Sequence, residues 1–193
     1  MFSLLAGFYS WLTEQEERRM VILGIDNAGK TTMLEQLKAA FGLPALAPEK
    51  VVPTIGMNIG KIKVDGVQAV LWDLGGQLSL RSLWHNYFAE VEGIMFLIDS
   101  QDRARMVEAK DALYGILRHP ELAGVPLLVV ANKQDVAGAA GVSEISQLFE
   151  LEGITDRECH IHPCSALKRQ GIEESIRWLT TVSVSRPKRS EHR

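Results

Sequence analysis

Residues 24–31 read GIDNAGKT, set between the apolar run MVILG (20–24) and the helix-like TTMLEQLKAAF (31–41). The eight residues match G-x-x-x-x-G-K-[ST], and each fixed position has a physical purpose. Gly24 and Gly29 let the backbone wrap closely around phosphate oxygens. The consecutive amides of Asp26, Asn27, Ala28 and Gly29 then make an anion cradle at a helix N-terminus. Lys30 supplies positive charge to the β- and γ-phosphates, and the Thr31 hydroxyl is a Mg2+ ligand. A glycine-rich β-α turn with a chance lysine is the plain alternative. The strand before and the helix after favour the phosphate-binding loop.

Outward from this loop, β-type runs alternate with helix-period stretches. Strands are expected near Met20–Gly24, Asn58–Val64, Val67–Asp73, Gly93–Asp99, Leu127–Asn132 and Cys159–His162. Helices are expected near Lys30–Phe41, Arg105–Leu117, Val142–Leu148 and Ile172–Thr181. Strands separated by helices predict a three-layer α/β domain. Asp65-Gly66 at the centre of NIGKIKVDGVQAVLWD predicts a two-residue hairpin, so one adjacent pair is antiparallel and the sheet is mixed.

The bulk numbers agree with one domain. The chain has 193 residues, 46% of them hydrophobic, enough for a full-sized core. A formal charge of −3 gives no general electrostatic reason to bind nucleic acid. Two cysteines, Cys159 and Cys164, are too few for a secreted disulfide scaffold and fit a reducing, cytoplasmic setting. No apolar run reaches membrane-spanning length. The start, MFSLLAGFYSWL, lacks a basic n-region and a cleavage site, so it reads as retained structure. The end, SRPKRSEHR, reads as a disordered basic tail without a prenylation box.

Two further stretches choose the nucleotide and the chemistry. ANKQD follows the strand VPLLVV, at the strand end where open α/β sheets bind ligands. The Asp135 carboxylate accepts from guanine N1 and the exocyclic amine, a donor pair adenine lacks. Asn132 helps to fix the loops, and the Lys133 stem covers the base face. In LWDLGGQ, Asp73 ends a strand beside the phosphate loop, where a carboxylate holds Mg2+ through water. Gly76 lets its amide approach the γ-phosphate, and Gln77 is placed to orient an attacking water.

GIDNAGKT, PTIGMNIG, WDLGGQ, LWHNYF, DSQDR, NKQD and CSAL together make the chain resemble small GTPases of the ADP-ribosylation-factor family over nearly its whole length. Within that family it looks most similar to the ADP-ribosylation-factor-related branch, which serves Golgi trafficking. The resemblance implies a six-stranded mixed sheet of order 2-3-1-4-5-6 with strand 2 antiparallel. It also implies an amphipathic helix over 1–17, a GTPase domain over 18–183 and a tail over 184–193.

Carried over, Thr54 is the switch threonine that joins the Mg2+ ligands Thr31 and Asp73 in the GTP state. Thr32 approaches the α-phosphate. Ser165 and Ala166 sit against the base, with the Ala166 amide reaching guanine O6. Asp26 stands near the γ-phosphate where many GTPases have glycine, which implies slow intrinsic turnover. No switch-segment arginine is an obvious finger in cis. An activating protein is therefore expected to supply one in trans, and exchange factors to release the nucleotide. Lys30 and Gln77 are the expected catalytic pair. The switch surface is expected to meet effectors through Met57, which replaces the usual Phe, together with Trp72 and Tyr87.

The resemblance also implies a monomer whose N-terminal helix is expelled by GTP. Phe2, Leu5, Phe8 or Tyr9, and Leu12 recur at helical spacing, with Leu4 and Trp11 widening the apolar face. This fits a membrane-inserting helix or one that covers the core. Phe2 in place of Gly excludes N-myristoylation, so the expected anchor is the helix itself or a membrane receptor, at Golgi or trans-Golgi membranes. A metabolite kinase would share the phosphate loop, but it does not explain NKQD. A non-cycling scaffold would be missing one of Thr54, Asp73 and Gln77. The cluster CHIHPC lies where the sixth strand is expected and reads as strand, not metal site.

Overall fold

Alternation along one strand decides which layer each side chain joins. In β1 (Glu17–Leu23), Met20 and Ile22 enter one apolar cluster while Val21 and Leu23 enter another, and all four are fully buried. The computed structural model describes residues 16–188. Around β1 lie β2 (Met57–Val64), β3 (Val67–Leu74), β4 (Gly93–Asp99), β5 (Leu127–Asn132) and β6 (Cys159–Pro163), in the order β2-β3-β1-β4-β5-β6. β2 is antiparallel to β3, and every other neighbouring pair is parallel. The hairpin turn is Asp65-Gly66, both at positive φ (48° and 92°), as a tight primed turn requires.

Helices α1 (Lys30–Ala40) and α4 (Ile172–Val184) cover the face carrying Met20 and Ile22. The opposite face is covered by α2 (Met106–Leu117), α3 (Val142–Leu148) and a 3-10 run, Leu78–Glu90. Parallel strands with crossover helices bring the loops after β1, β3, β5 and β6 to one edge of the sheet, which is where the motifs lie.

Three elements differ from the sequence expectation. β1 begins at Glu17, inside the segment assigned to the N-terminal helix. The charged start enters the sheet because buried Arg18 donates to Glu92 at 2.9 Å and the Arg19 amide donates to the same carboxylate at 3.0 Å. α4 continues to Val184, the first residue assigned to the tail. Its β-branched end is held by the buried faces of Thr180 and Ser183, with Ser183 Oγ bonded to the Thr180 carbonyl at 2.8 Å. The 3-10 run carries no signal in the sequence; Trp84 and Phe88 are its residues that enter the core. Residues 1–15, with the expected apolar helix face, and residues 189–193 lie outside the described residues.

Candidate nucleotide-binding site

The loop between β1 and α1 depends on two glycines. Gly24 (φ 140°) and Gly29 (φ 92°) occupy the left-handed side of backbone space. A Cβ on Gly24 would overlap the Leu97 carbonyl, and one on Gly29 would overlap the Asn132 amide. Gly29 is also the N-cap of α1 and brings no capping side chain, so the cap itself leaves the first-turn amides to an anion. Lys30 is buried and donates to the Ile25 carbonyl at 2.8 Å. Burial pushes its ammonium down to about 8, although Asp73 and Asp26 pull the other way. A phosphate beside Lys30 would compensate this desolvation directly.

Thr31, Thr54 and Asp73 converge, as the sequence expects. Thr31 Oγ1 lies 2.8 Å from Thr54 Oγ1 and donates to Asp73 Oδ2 at 2.7 Å. Thr54 donates to the same oxygen at 3.1 Å, and Asn58 Nδ2 reaches both Thr54 and Asp73, at 3.1 and 3.2 Å. Asp73 is fully buried, and burial raises its carboxyl pKa against the pull of Thr31, Asn58, Lys30 and Thr54. Its second oxygen, Oδ1, is buried with no hydrogen-bond partner. Two hydroxyls and one carboxylate, whose Oδ1 is buried without a partner, form a hard-oxygen donor set that fits Mg2+. The side chain that sequence reading missed here is Asn58.

The turn after β3 closes onto the loop. Gly75 donates to the Gly56 carbonyl at 3.0 Å and accepts from Trp84 Nε1 at 2.9 Å. Gly76 packs so tightly that a Cβ would lie 2.6 Å from the Gly24 carbonyl oxygen and would overlap Lys30 Nζ. Gln77 is exposed and lines the same cleft as Lys30, Thr31 and Thr54.

At the other end, Asn132 acts as a tie. Its Nδ2 donates to the Ala28 carbonyl at 2.8 Å, and its Oδ1 accepts from the Ala166 amide at 2.9 Å. The loops after β1, β5 and β6 thus share one buried side chain. The Ala166 amide is occupied by Asn132, so a contact to guanine O6 has to share that donor. Ser165 Oγ donates to Asp135 Oδ1 at 2.5 Å, orienting the carboxylate expected to read the base. Lys133 donates to Asp99 at 2.6 Å, which holds its stem along the cleft.

Two adjoining cavities, about 470 and 310 Å³, share Asn27, Gly29, Thr32 and Pro48 and form one groove across this edge. Pro48, Val51 and Val52, from the long segment before Thr54, roof it; irregular spacing gave no sign of them. Asp26 lines the phosphate end, and its carboxylate is not isolated. Arg105 donates to it at 3.2 Å, and Arg81 from the 3-10 run lies 3.7 Å away. Trp72 and Tyr87 meet edge-on at 5.9 Å, and Met57 packs against the same cluster. In CHIHPC, His160 and His162 stand on one strand face, 6.0 Å apart, and His160 stacks on Trp178 at 5.1 Å. Among the described residues no His, Cys, Asp and Glu cluster suited to a metal occurs. Nor is any described helix long and apolar enough to cross a membrane.

The profile of the ADP-ribosylation factor family matches residues 4–183. ADP-ribosylation factor-related protein 1 of Homo sapiens is 40% identical over 196 residues, covering 98% of each chain. ADP-ribosylation factor-like protein 3 of Saccharomyces cerevisiae is 42% identical over 193 residues, covering 98% of this chain and 97% of its own. Among solved structures, the Arl6 small GTPase of Trypanosoma brucei, with bound GppNp, superposes with a TM-score of 0.79 at 30% identity, covering 89% of this chain and 99% of that one. With the family profile spanning residues 4–183 and relatives at 40% identity and above over nearly the whole chain, the chain belongs to the ADP-ribosylation factor family and is a small GTPase.

Proposed function

We propose that this GTPase is a Mg2+-dependent GDP/GTP switch that regulates vesicle and protein traffic at Golgi-type membranes. The observation that carries the switch reading is the seating of Thr54. Its hydroxyl reaches from the segment before β2 to Thr31 of the phosphate loop and to Asp73 of β3. An arrangement that joins three segments through one donor set is one that a γ-phosphate can hold and its loss can release.

The residues divide the work as follows. The loop from Gly24 to Thr32 binds the phosphates, and Lys30 meets the β- and γ-oxygens. Thr31, Thr54 and Asp73 would hold Mg2+, which when bound supplies positive charge against those oxygens. The Gly76 amide approaches the γ-phosphate, and the Gln77 amide group orients the attacking water. Asp135, steadied by Ser165, reads guanine, while Asn132 keeps the base loop and the phosphate loop in register. Asp26 beside the γ-phosphate keeps intrinsic turnover slow, so an activating protein completes the charge stabilisation and an exchange factor opens the site. Effectors meet the switch surface, where Val52, Ile55, Ile59 and Leu78 are exposed around the partly buried Met57 and Tyr87. The segment before β1 is the nucleotide-dependent membrane element, working alone or through a receptor.

Nucleotide binding and turnover with GTP and ATP, followed by flotation with liposomes and Golgi membranes, test this reading. GTP selectivity, loss of hydrolysis in Gln77→Leu, and GTP-dependent flotation that disappears on deleting residues 2–12 are expected. Equal binding of ATP refutes the base assignment. Equal flotation of full-length and truncated protein refutes the membrane role.

A further inference from the structure

Arg81 plays no part in the sequence reading, yet it is tied to three segments at once. It lies four residues beyond Gln77, in the 3-10 run. Its Nε donates to the Gly76 carbonyl at 2.9 Å, and its Nη2 donates to Glu108 of α2 at 2.6 Å. The same Nη2 is 3.7 Å from Asp26 of the phosphate loop. We propose that Arg81 is a positioning residue for GTP hydrolysis, bracing the Gly76–Gln77 peptide against α2 and the phosphate loop so that Gln77 stays at the cleft. The inference rests on the reading of Gln77 as the residue that orients water.

The local chain needs such a brace. Gly75 and Gly76 are adjacent glycines, the backbone with the greatest freedom to lose. On one side Trp84 fixes the Gly75 carbonyl, and on the other the Leu80 amide donates to the Gln77 carbonyl at 2.8 Å. Between them the Gly76 carbonyl is held by Arg81. That bond sets the plane of the peptide leading into Gln77, and therefore where its side chain starts.

Charge placement separates this role from that of an arginine finger. Arg81 is matched by Glu108 and Asp26, and its neighbour Arg105 by Asp102 at 2.6 Å and by Asp26. Both guanidinium groups are already committed to carboxylates, and Arg81 also to the Gly76 carbonyl, so the contacts on the page are those of a brace. A lysine at 81 would keep the charge but not the fork, because a single ammonium cannot reproduce the separate Nε and Nη2 contacts.

Single-turnover hydrolysis of preloaded GTP tests the inference, alongside GDP and GppNp affinities. Arg81→Ala is expected to slow hydrolysis about 10- to 100-fold, as misplacement of a reacting group does, with both affinities retained. Arg81→Lys should stay slow. Glu108→Gln, which leaves Arg81 in place with a weaker anchor, should fall between. In a Gln77→Leu background, Arg81→Ala should add no further loss, since both changes remove the same placement of water. A wild-type rate for Arg81→Ala, a loss that adds to that of Gln77→Leu, or a parallel loss of nucleotide affinity would each overturn the proposal. If Gln77→Leu hydrolyses GTP as the wild type does, the reading of Gln77 falls, and the inference falls with it.

Discussion

Gly76→Ala isolates the contact between the switch turn and the phosphate loop. The added Cβ would lie 2.6 Å from both the Gly24 carbonyl oxygen and the Ile25 carbonyl carbon, and would overlap Lys30 Nζ. Lys30 can withdraw only by giving up its bond to the Ile25 carbonyl. The two backbone atoms have less room, because Gly24 itself is packed against the Leu97 carbonyl. The turn must therefore move off the loop. Overpacking of this kind costs about 1–3 kcal/mol, and here it falls on whichever nucleotide state needs Gly76 in contact. If that is the triphosphate state, affinity for GppNp should drop about 5- to 150-fold relative to GDP, the factor corresponding to such a coupling energy. Displacement of a fluorescent nucleotide by GDP and by GppNp, in wild type and variant, gives the ratio directly. An unchanged ratio, with both nucleotides weakened alike or neither weakened, would refute the argument.

Three other outcomes follow from single contacts. Asp135→Asn should weaken GDP and strengthen xanthosine diphosphate, because the acceptor becomes a donor; unchanged GDP affinity would remove Asp135 from the base site. Asn132→Ala leaves the Ala28 carbonyl and the Ala166 amide without their shared partner, at about 1–3 kcal/mol for each buried group left unsatisfied. Its urea midpoint should fall and GDP release should quicken, and an unaltered midpoint would show that water replaces the tie. The Cys164 thiol is pushed up to about 12, chiefly by burial, whereas Cys159 is only partly buried. Iodoacetamide at pH 8 should therefore modify Cys159 before Cys164, and mass spectrometry finding the reverse order would mean that the loop after β6 opens readily.

What the sequence made legible, and what it hid, follows from how far away each residue's partner lies. GIDNAGKT carries its own context, because the strand, the turn and the helix are contiguous and the glycines are demanded by local backbone geometry. Asp65-Gly66 goes further. Once that pair is a two-residue turn, counting outward places Asn58 opposite Asp73, as the hairpin register has it. Asn58 as a neighbour of Thr54 and Asp73, the proposed Mg2+ ligands, was therefore available from the sequence, although no motif names it. Arg81 was not available. Its position depends on the path of the 3-10 run, whose Trp84 and Phe88 enter the core, and its partners lie at residues 26, 76 and 108. The start of β1 is hidden for a similar reason, since the distant Glu92, together with Glu16, makes a buried Arg18 tolerable within a strand. Motifs report the groups expected to touch the nucleotide because phosphate, guanine and Mg2+ impose fixed chemistry on any residue that binds them. Holding residues that lie outside a motif answer only to this chain's packing, so their roles emerge from distances and not from residue type. Arg81 and Asn132 both hold other groups in place, yet Asn132 sits inside NKQD and is found with its motif, whereas Arg81 is found only when the carbonyl it holds is known.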